Sequence, residues 1–338
     1  MKIAIHDRPG SFSDRWVAYC REQQIPYKVV NCYENDIFRQ IEDCDALMWH
    51  HHHMNKDVLF AQQLLNAVEL SGKKVFPDFN TSWHFDDKIA QKYLFETFNI
   101  PMVETFIFYD KDSALKWVEK TNYPKVFKLS NGSGSANVKL IKTKKQGTQL
   151  VKRAFGKGFK TFDGIVNLKD KWEKYRRGAV RFERVIRAFG RLFMTTSYAK
   201  LFPRKKGYVY FQEFIKNEGY DIRVVVIGDK AVALKRLVRE NDFRASGSAN
   251  LVFENENIDI RFIKESFELA KKLKTQSVAI DLIKDLDNRI YVVEISYAFP
   301  MLHFLDAAAG YWDDSLNWHE EDFNLQGWMV ELMLNKKR

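Results

Sequence analysis

Short apolar runs alternate with segments of helical periodicity over the first 80 residues. Runs this short fit buried strands, and apolar positions three and four residues apart predict a helix with one buried face. The alternation predicts a small open α/β unit. The strand-like runs are 2–6, 27–32, 45–49 and 74–76, and the helical stretches are 13–24, 34–44 and 55–72, the last closed by Gly72.

Beyond a polar connector at 80–83, helices and strands follow in a mixed order. Asp86 and Asp87 are favourable in the first turn of a helix that reaches Phe98, and Pro101 follows its end. The pattern becomes mainly β-type after residue 206. The predicted strands are 105–109, 124–129, 137–141, 208–215, 222–227 and 231–238, and the predicted helices are 113–120, two basic ones around 149–155 and 169–188, then 258–274 and 306–334.

A predicted β-hairpin near the C-terminus carries two acids on one face. Asp287 and Asn288 suit a two-residue turn, because both tolerate positive φ angles. With that turn Asp281 faces Glu294 directly, with Cβ atoms about 5 Å apart. The same register pairs Leu286 with Arg289, Ile283 with Val292, and Ala279 with Ser296.

Two carboxylates held that close destabilise a strand pair unless a cation compensates them. Mg²⁺ binds carboxylate oxygens together with substrate phosphates, so the hairpin predicts a metal site. The alternative is an exposed hairpin face with two unrelated acids.

The net charge of +10 is concentrated in one segment. Residues 139–206 contain 21 lysines and arginines against four acids, a local net charge of +17, so the rest of the chain carries −7. Such a block predicts an anionic partner, and a solvated helical face is the alternative.

The remaining composition indicates a globular protein of about two domains. The three cysteines have no metal-ligand spacing, which predicts free buried thiols in a reducing cytoplasm. No apolar run reaches the roughly 18 residues of a membrane span, and the first residues do not fit a signal peptide. The cysteines are Cys20, Cys32 and Cys44.

Two further segments are candidates for ligand contact. The loop Asn131–Ser135 presents backbone N–H groups that suit phosphate oxygens, although a glycine-rich hairpin turn is the alternative. The run His50–His53 follows the third predicted strand, at the end of an α/β unit where ligands bind, and a polar loop is its alternative. Neither a G-x-G-x-x-G fingerprint nor a P-loop is present.

Taken in order, these elements resemble the ATP-grasp superfamily, which includes glutathione synthetase, D-alanine–D-alanine ligase and the ribosomal-protein glutamate ligases. The similarity is strongest to the glutamate-ligase branch, through segments 211–215, 219–223 and 241–244. Segments 81–88 and 294–297 look like a subgroup of such ligases associated with surface-polysaccharide genes.

The resemblance implies an α/β (α+β) fold, with a small open N-terminal α/β domain followed by an ATP-grasp domain. In that domain two subdomains hold the nucleotide between two sheets rich in antiparallel pairs. The implied domains are 1–80, the catalytic parts 81–147 and 207–338, and a basic helical segment 148–206 inserted between those parts.

The resemblance also implies residues that bind ATP. Lys88 and Lys128 match phosphate or adenine contacts, the loop 132–135 matches the flap over the phosphates, and 212–215 matches the hinge that holds adenine. Asp221 matches the acid that holds the ribose. The full implied set is Lys88, Lys128, Gly132, Ser133, Gly134, Ser135, Gln212, Glu213, Phe214, Ile215 and Asp221.

The metal and catalytic residues follow in the same way. Asp281, Glu294 and Ser296 match ligands for Mg²⁺ (or Mn²⁺), with Ser296 in a place where the family normally has Asn. A serine hydroxyl is a weaker ligand than an amide oxygen, which puts a second metal ion in doubt. Arg244 matches an arginine at the transferring phosphoryl group, and Arg223 with Lys235 or Arg236 completes the implied phosphate or acyl-phosphate site.

The implied activity is a carboxylate–amine ligase that releases ADP through an acyl phosphate. Its substrates would be a small carboxylate and an amine, and the basic segment suits an anionic glycan, nucleotide sugar or lipid-linked acceptor. A cytoplasmic enzyme, peripheral to the inner membrane face, fits these partners. Two alternatives stay open: a pseudoligase that only binds nucleotide, and a basic nucleic-acid-binding protein, which the scarcity of interleaved aromatics argues against.

Overall fold

The computed structural model describes residues 1–53, 55–131, 138–160, 168, 172, 175–176, 180–193, 204–238, 251–253, 258–299 and 308–334. The chain forms two compact units. The first contains Met1–Met102 and Lys216–Arg338, and the second contains Val103–Ile215.

The strands are β1 (Ile3–His6), β2 (Tyr27–Val30), β3 (Ala46–Met48), β4 (Lys74–Phe76), β5 (Thr105–Phe108), β6 (Lys125–Lys128), β7 (Lys139–Ile141), β8 (Val209–Glu213), β9 (Tyr220–Ile227), β10 (Lys230–Leu237), β11 (Leu251–Val252), β12 (Ser277–Lys284), β13 (Ile290–Ser296), β14 (Tyr311–Asp313) and β15 (Trp318–His319). The helices are α1 (Phe12–Glu22), α2 (Ile37–Gln40), α3 (Asn55–Leu70), α4 (Phe79–Ser82), α5 (Lys88–Thr97), α6 (Lys111–Lys120), α7 (Lys144–Ala154), α8 (Phe182–Phe193), α9 (Ile260–Leu273) and α10 (Leu325–Leu334).

The first unit begins with a four-stranded parallel sheet in the order β2-β1-β3-β4. Strands β1 and β3 are buried along their whole length, as expected of parallel strands covered on both faces. The helix α1 is capped by Ser11, whose hydroxyl accepts from the N–H of Ser13. The predicted open α/β unit is therefore confirmed.

A second, largely antiparallel sheet fills the rest of the first unit, in the order β13-β12-β9-β10-β14-β15, with β11 paired to β10. Alternate residues of β9 serve two cores. Val224 and Val226 pack with α9, and Val225 and Ile227 pack with α1 and α10. Because both faces of β9 are buried, its sequence is continuously apolar from Val224 to Ile227.

The second unit contains a four-stranded antiparallel sheet in the order β5-β8-β6-β7. Helices α6 and α7 pack on one face, where Trp117 stacks against Phe211 with ring centroids 5.1 Å apart. Thr143 caps α7 through its hydroxyl, which accepts from the N–H of Gln146.

Four predicted segments differ from the structure. The predicted helix over 34–44 shrinks to α2, and the connector at 80–83 contains the short helix α4. The tail predicted to be helical from 306 instead contains the strands β14 and β15 before α10, because Trp312 pairs with Trp318 across a tight turn. The predicted basic helix 169–188 is interrupted at residues 180–181, and α8 begins at Phe182.

Two composition-based expectations can also be compared with the structure. The cysteines Cys20, Cys32 and Cys44 are free and buried, as predicted. Within the described ranges, no helix is both long and apolar enough to cross a membrane.

Candidate functional site

The acid-bearing hairpin forms, and its central register is the predicted one. Asp281 pairs with Glu294 and Ala279 pairs with Ser296. Nearer the turn the predicted register is wrong by one residue, because Ile283 pairs with Tyr291. A β-bulge after Asp281 separates the two registers.

The cause of the shift is a longer turn than predicted. The N–H of Asp285 donates to the carbonyl of Arg289 at 3.0 Å, and the N–H of Asn288 donates to the carbonyl of Asp285 at 3.1 Å. The Asp285 carboxylate accepts from the N–H groups of Asp287 and Arg289, and Asn288 adopts a φ of 65°. The longer turn shifts the pairing of residues 282–284 by one residue. The β-bulge between Asp281 and Leu282 returns the pairing of Asp281 with Glu294 to the predicted register.

Asp281 is held by two arginines from neighbouring strands. It is 7% exposed, and Arg223 on β9 binds both of its oxygens, Nε to Oδ1 at 2.7 Å and Nη2 to Oδ2 at 2.9 Å. Arg236 on β10 adds a contact from Nη2 to Oδ2 at 2.8 Å. Arg223 lies directly opposite Asp281 in the pairing of β9 with β12, so the sheet register builds this contact.

Arg236 also binds Asp221, its direct partner in the pairing of β9 with β10. The distances are 2.6 Å from Nε to Oδ1 and 2.8 Å from Nη2 to Oδ2. Its neighbour Lys235 instead lies over the ring of Tyr220, with Nζ 3.9 Å from the ring centroid. Of the two candidate cations on β10, Arg236 is therefore the one that contacts these acids.

The four charged groups on β12, β9 and β10 form a charge network of two acids and two arginines, defined as Asp221, Arg223, Arg236 and Asp281. Burial alone would raise the pKa of Asp281, but the charges of Arg223 and Arg236 outweigh burial and hold this pKa below its ordinary value. Burial raises the pKa of Asp221, and the nearby charge of Asp281 adds to that rise. Asp281 is therefore the more strongly ionised of the two acids that share Arg236.

Glu294 is paired with Lys88 at the start of α5. The Lys88 Nζ lies 2.8 Å from Glu294 Oε1, and Lys88 is buried. Asp87 caps the helix, since its carboxylate accepts from the N–H groups of Ile89 and Ala90. The predicted Lys88 and Glu294 are thus in contact within the first unit.

Gln91 fixes α5 against β13, a role that sequence reasoning missed. Its amide nitrogen donates to the carbonyl of Ile295 at 2.9 Å, and its amide oxygen accepts from the N–H of Ile295 at 3.2 Å. Gln91 is buried one helical turn after Lys88, so it positions Lys88 beside Glu294. The signal in the sequence is a glutamine on the apolar face of a predicted helix.

The predicted ligands offer the oxygen atoms that a hard divalent cation prefers. Asp281 on β12 faces Glu294 on β13, and Ser296 is the last residue of β13. In this arrangement, however, protein cations compensate both acids: Arg223 and Arg236 at Asp281, and Lys88 at Glu294. Among the described residues, no group of three or more acidic, histidine or cysteine side chains is arranged to hold a metal. Glu294, with 31% of its side chain exposed, fits the role of ligand after Lys88 releases it, and Asp281 fits only after its arginines turn away.

The histidine run lies beside the Lys88–Glu294 pair. His50 and His51 are buried, and the Nδ1 of His50 accepts from the N–H of Phe12 at 3.1 Å. His53 stacks on Phe85 with ring centroids 5.0 Å apart. Burial lowers the pKa of His53, the charge of Lys88 lowers it further, and the charge of Glu294 opposes both effects.

In the second unit, the residues predicted to bind the nucleotide lie on β6, on β8 and just after β8. Lys128 is buried at the end of β6, opposite Tyr210. The Gln212 amide donates to Thr105 Oγ1 at 3.0 Å, and the Glu213 carboxylate accepts from Lys125 Nζ. The side chains of Gln212 and Glu213 are therefore engaged within their own sheet, which leaves the predicted adenine contacts to the backbone.

Phe214 and Ile215 follow the end of β8 and are half-buried. The chain passes from the second unit to the first directly after Ile215. Of the other predicted site residues, Gly132, Ser133, Gly134, Ser135 and Arg244 lie outside the described residues.

Comparison with known proteins finds similarity to ATP-grasp proteins in sequence and in structure. Residues 194–308 match the model of the RimK-like ATP-grasp domain. The chain is 26% identical over 233 residues to an alpha-aminoadipate–LysW ligase, LysX, of Saccharolobus solfataricus, which covers 68% of this chain and 67% of that protein.

Solved structures of ATP-grasp proteins share the fold. A RimK-domain ATP-grasp protein from Sphaerobacter thermophilus has a TM-score of 0.57 at 14% identity, covering 99% of this chain and 100% of that one. A D-alanine–D-alanine ligase from Bacillus anthracis, complexed with ATP, has a TM-score of 0.59 at 15% identity, covering 99% and 97%. The predicted fold class is confirmed.

Proposed function

We propose that this chain is an ATP-dependent carboxylate–amine ligase that forms an amide through an acyl phosphate, on the basis of its match to the RimK-like ATP-grasp domain. A substrate carboxylate oxygen attacks the γ-phosphorus of ATP, the bond to the β-phosphate oxygen breaks, and ADP leaves. The amine then attacks the acyl carbon, loses a proton, and expels phosphate. The contact of Lys88 with Glu294, beside the charge network, is the observation that carries this proposal.

The charged side chains of the first unit support this chemistry because substrate binding would exchange the partners of their ion pairs. Lys88 and Glu294 neutralise each other in this structure, and a triphosphate would compete for the lysine. Glu294, released from Lys88, would then be available to Mg²⁺ (or Mn²⁺) together with Asp281 and Ser296. The metal, when bound, would neutralise phosphate charge.

Arg223 and Arg236 are the proposed cations for the reacting phosphoryl or acyl phosphate. Each guanidinium presents a planar pair of N–H donors, which currently bind carboxylates and equally suit phosphate oxygens. Arg244 is proposed for the same role from its sequence match alone.

For the nucleotide itself, we propose contacts from Lys128 and from the backbone of 212–215 in the second unit. The buried ammonium of Lys128 suits a phosphate or an adenine nitrogen, and the flap 132–135 is proposed to cover the phosphates. Asp221 is proposed to hold the ribose hydroxyls, which requires it to loosen its bond to Arg236.

On the acceptor side, we propose an anionic glycan or its precursor, such as a nucleotide sugar or a lipid-linked intermediate. The support is the local net charge of +17 in residues 139–206 and the resemblance to ligases associated with surface polysaccharides. Charge reversal of Arg176 and Arg181, both exposed, is expected to raise the acceptor KM and leave the KM for ATP unchanged. An unchanged acceptor KM would contradict the glycan proposal.

A nucleotide-binding pseudoligase is the second candidate. It is favoured by the engagement of both Asp281 oxygens with arginines, and by Ser296 in a ligand position. This candidate predicts that Mg-ATP binds and that no acceptor stimulates ADP release.

Calorimetric titration with Mg-ATP tests the shared premise of both candidates. Lys88→Met is expected to weaken binding by about tenfold or more, because a charge-assisted phosphate contact is lost. Lys264→Met is the matched control, since Lys264 is an exposed lysine on α9. Absence of ATP binding by the unaltered protein would contradict both candidates.

A further inference from the structure

The helix α8 exposes a row of large apolar side chains. Phe182, Ile186 and Phe189 recur at helical spacing and are 49%, 57% and 54% exposed. Trp172 and Tyr175 are also exposed, and the ring of Tyr175 lies 5.1 Å from that of Phe182. These five residues form one surface, called here the aromatic face.

The aromatic face borders a groove of about 450 Å³. Apart from the indole N–H of Trp172, the lining side chains are hydrocarbon, so the described residues of the groove offer little hydrogen bonding to a polar ligand. A groove of this chemistry accepts hydrocarbon. It is lined by Leu168, Trp172, Phe182, Val185, Ile186 and Phe189.

Positive charge surrounds the same helix. Arg184 and Arg187 are exposed on α8, Arg181 is exposed just before it, and Glu183 is the one acid between residues 181 and 190. Arg176 is exposed beside Tyr175. The helix therefore combines an apolar side with arginines, inside the segment whose net charge is +17.

We propose that the aromatic face docks on an anionic phospholipid surface. Its side chains would lie among the acyl chains, and the nearby Arg181, Arg184 and Arg187 would contact the headgroups. A helix of this composition lies in the plane of a bilayer interface, where tryptophan and tyrosine are favourable. Each basic residue near such a surface contributes about 1 kcal/mol. The docking does not depend on the ligase chemistry proposed above, although Arg176 and Arg181 lie in the basic segment proposed there to bind the acceptor.

Other occupants fit the charges and apolar area less well. A second copy would bring two strongly positive segments together, which is repulsive. A nucleic acid would use the arginines but would leave Ile186 and Phe189 exposed to water. An anionic bilayer satisfies both features.

Sedimentation with lipid vesicles tests the proposal on the full chain. We expect the protein to bind vesicles of phosphatidylcholine containing about 30% phosphatidylglycerol, and to bind phosphatidylcholine alone about tenfold more weakly. Raising the salt from about 0.05 M to about 0.5 M should release it, because the Debye length shortens.

Two double variants separate the apolar and the charged contributions. Ile186→Ser with Phe189→Ser, and Arg184→Glu with Arg187→Glu, should each lower the affinity for anionic vesicles about tenfold. The matched control is Leu70→Ser with Leu286→Ser. It replaces two leucines that are more exposed than Ile186 and Phe189 but lie outside the aromatic face, and it should leave binding unchanged. An unchanged urea midpoint would show that the variants fold.

Three results would overturn the proposal. They are no binding of the unaltered protein to anionic vesicles, equal binding by the Ile186/Phe189 variant, and a dimer in solution that this variant converts to monomer. The last result would assign the aromatic face to a second copy of the chain.

Discussion

Arg236 links the buried Asp281 to the partly buried Asp221, and its removal would leave Asp221 without this ion-pair partner. Asp281 would keep Arg223, but Asp221 would lose its bidentate partner. The charge network is neutral with all four members, and loss of any single member leaves one net charge. A buried charge without a partner is far more costly than a buried pair, so each member is sensitive to loss of its neighbour.

Arg236→Met is therefore expected to lower the free energy of unfolding by about 3–5 kcal/mol. Arg236→Met combined with Asp221→Leu removes both charges and should cost less than the single change. Urea denaturation of the two variants gives the coupling between the sites. A single variant as stable as the unaltered protein would show that the network has no structural role.

Asp281 and Glu294 show what residue-level reasoning can reach. An assumed two-residue turn at Asp287 and Asn288 predicted that they face each other, and the pairing is observed because the β-bulge after Asp281 compensates for the longer turn. The partners of these acids were not predicted, although the two-residue turn Gly228-Asp229 between β9 and β10 sets the register that pairs Arg236 with Asp221. The predicted role of Arg223 at a phosphate stays a prediction, and its observed partner is Asp281.

At the scale of elements, Gln91 is the link between α5 and β13. Its side chain satisfies both the N–H and the carbonyl of Ile295, and it also donates to the carbonyl of His84 at 3.2 Å. A buried backbone group without a partner costs about 1–3 kcal/mol.

Gln91→Leu should thus lower the free energy of unfolding by about 2–4 kcal/mol, since two backbone groups lose their partner. It should also weaken Mg-ATP binding, because Lys88 shares the helix with Gln91. The control is Glu96→Gln on the exposed side of α5, which should change stability by less than about 0.5 kcal/mol. A Gln91→Leu variant with unchanged stability and unchanged ATP affinity would show that Gln91 neither stabilises the contact of α5 with β13 nor positions Lys88.

The hairpin turn explains why element boundaries were harder to predict than element types. Asp287 and Asn288 suggested a two-residue turn, but the Asp285 carboxylate accepts from two backbone N–H groups and closes a longer one. The C-terminal tail was misjudged for a similar reason. Its aromatic residues Trp312 and Trp318 fit a helix by composition, and their contact across a strand pair decides the structure.

On the scale of the whole molecule, buried histidines make stability depend on pH. Burial lowers the pKa of His84 to about 4 and the pKa of His52 to about 4. In the unfolded chain a histidine has a pKa of about 6.5. The unfolded state therefore binds more protons between these values, so stability is full above pH 6.5 and is lost as the pH falls toward 4.

Each of these two histidines should cost about 2 kcal/mol of stability at pH 5 relative to pH 7. His84→Gln keeps a side-chain N–H donor for the carbonyl of Asn80 and removes the titration. Urea midpoints measured from pH 7 to pH 5 should therefore fall less steeply in this variant. Parallel pH profiles for variant and unaltered protein would exclude His84 as a source of the dependence.

Release of ADP is the most direct test of the proposal that this protein activates a carboxylate with ATP. Purified protein with Mg-ATP would be tested against a crossed panel of amino acids and uronic-acid sugars, with Glu294→Gln as the blank. The account predicts ADP release that depends on the acceptor and is lost in the variant. ADP release that is the same in Glu294→Gln, or no release with any pair despite ATP binding, would contradict the ligase.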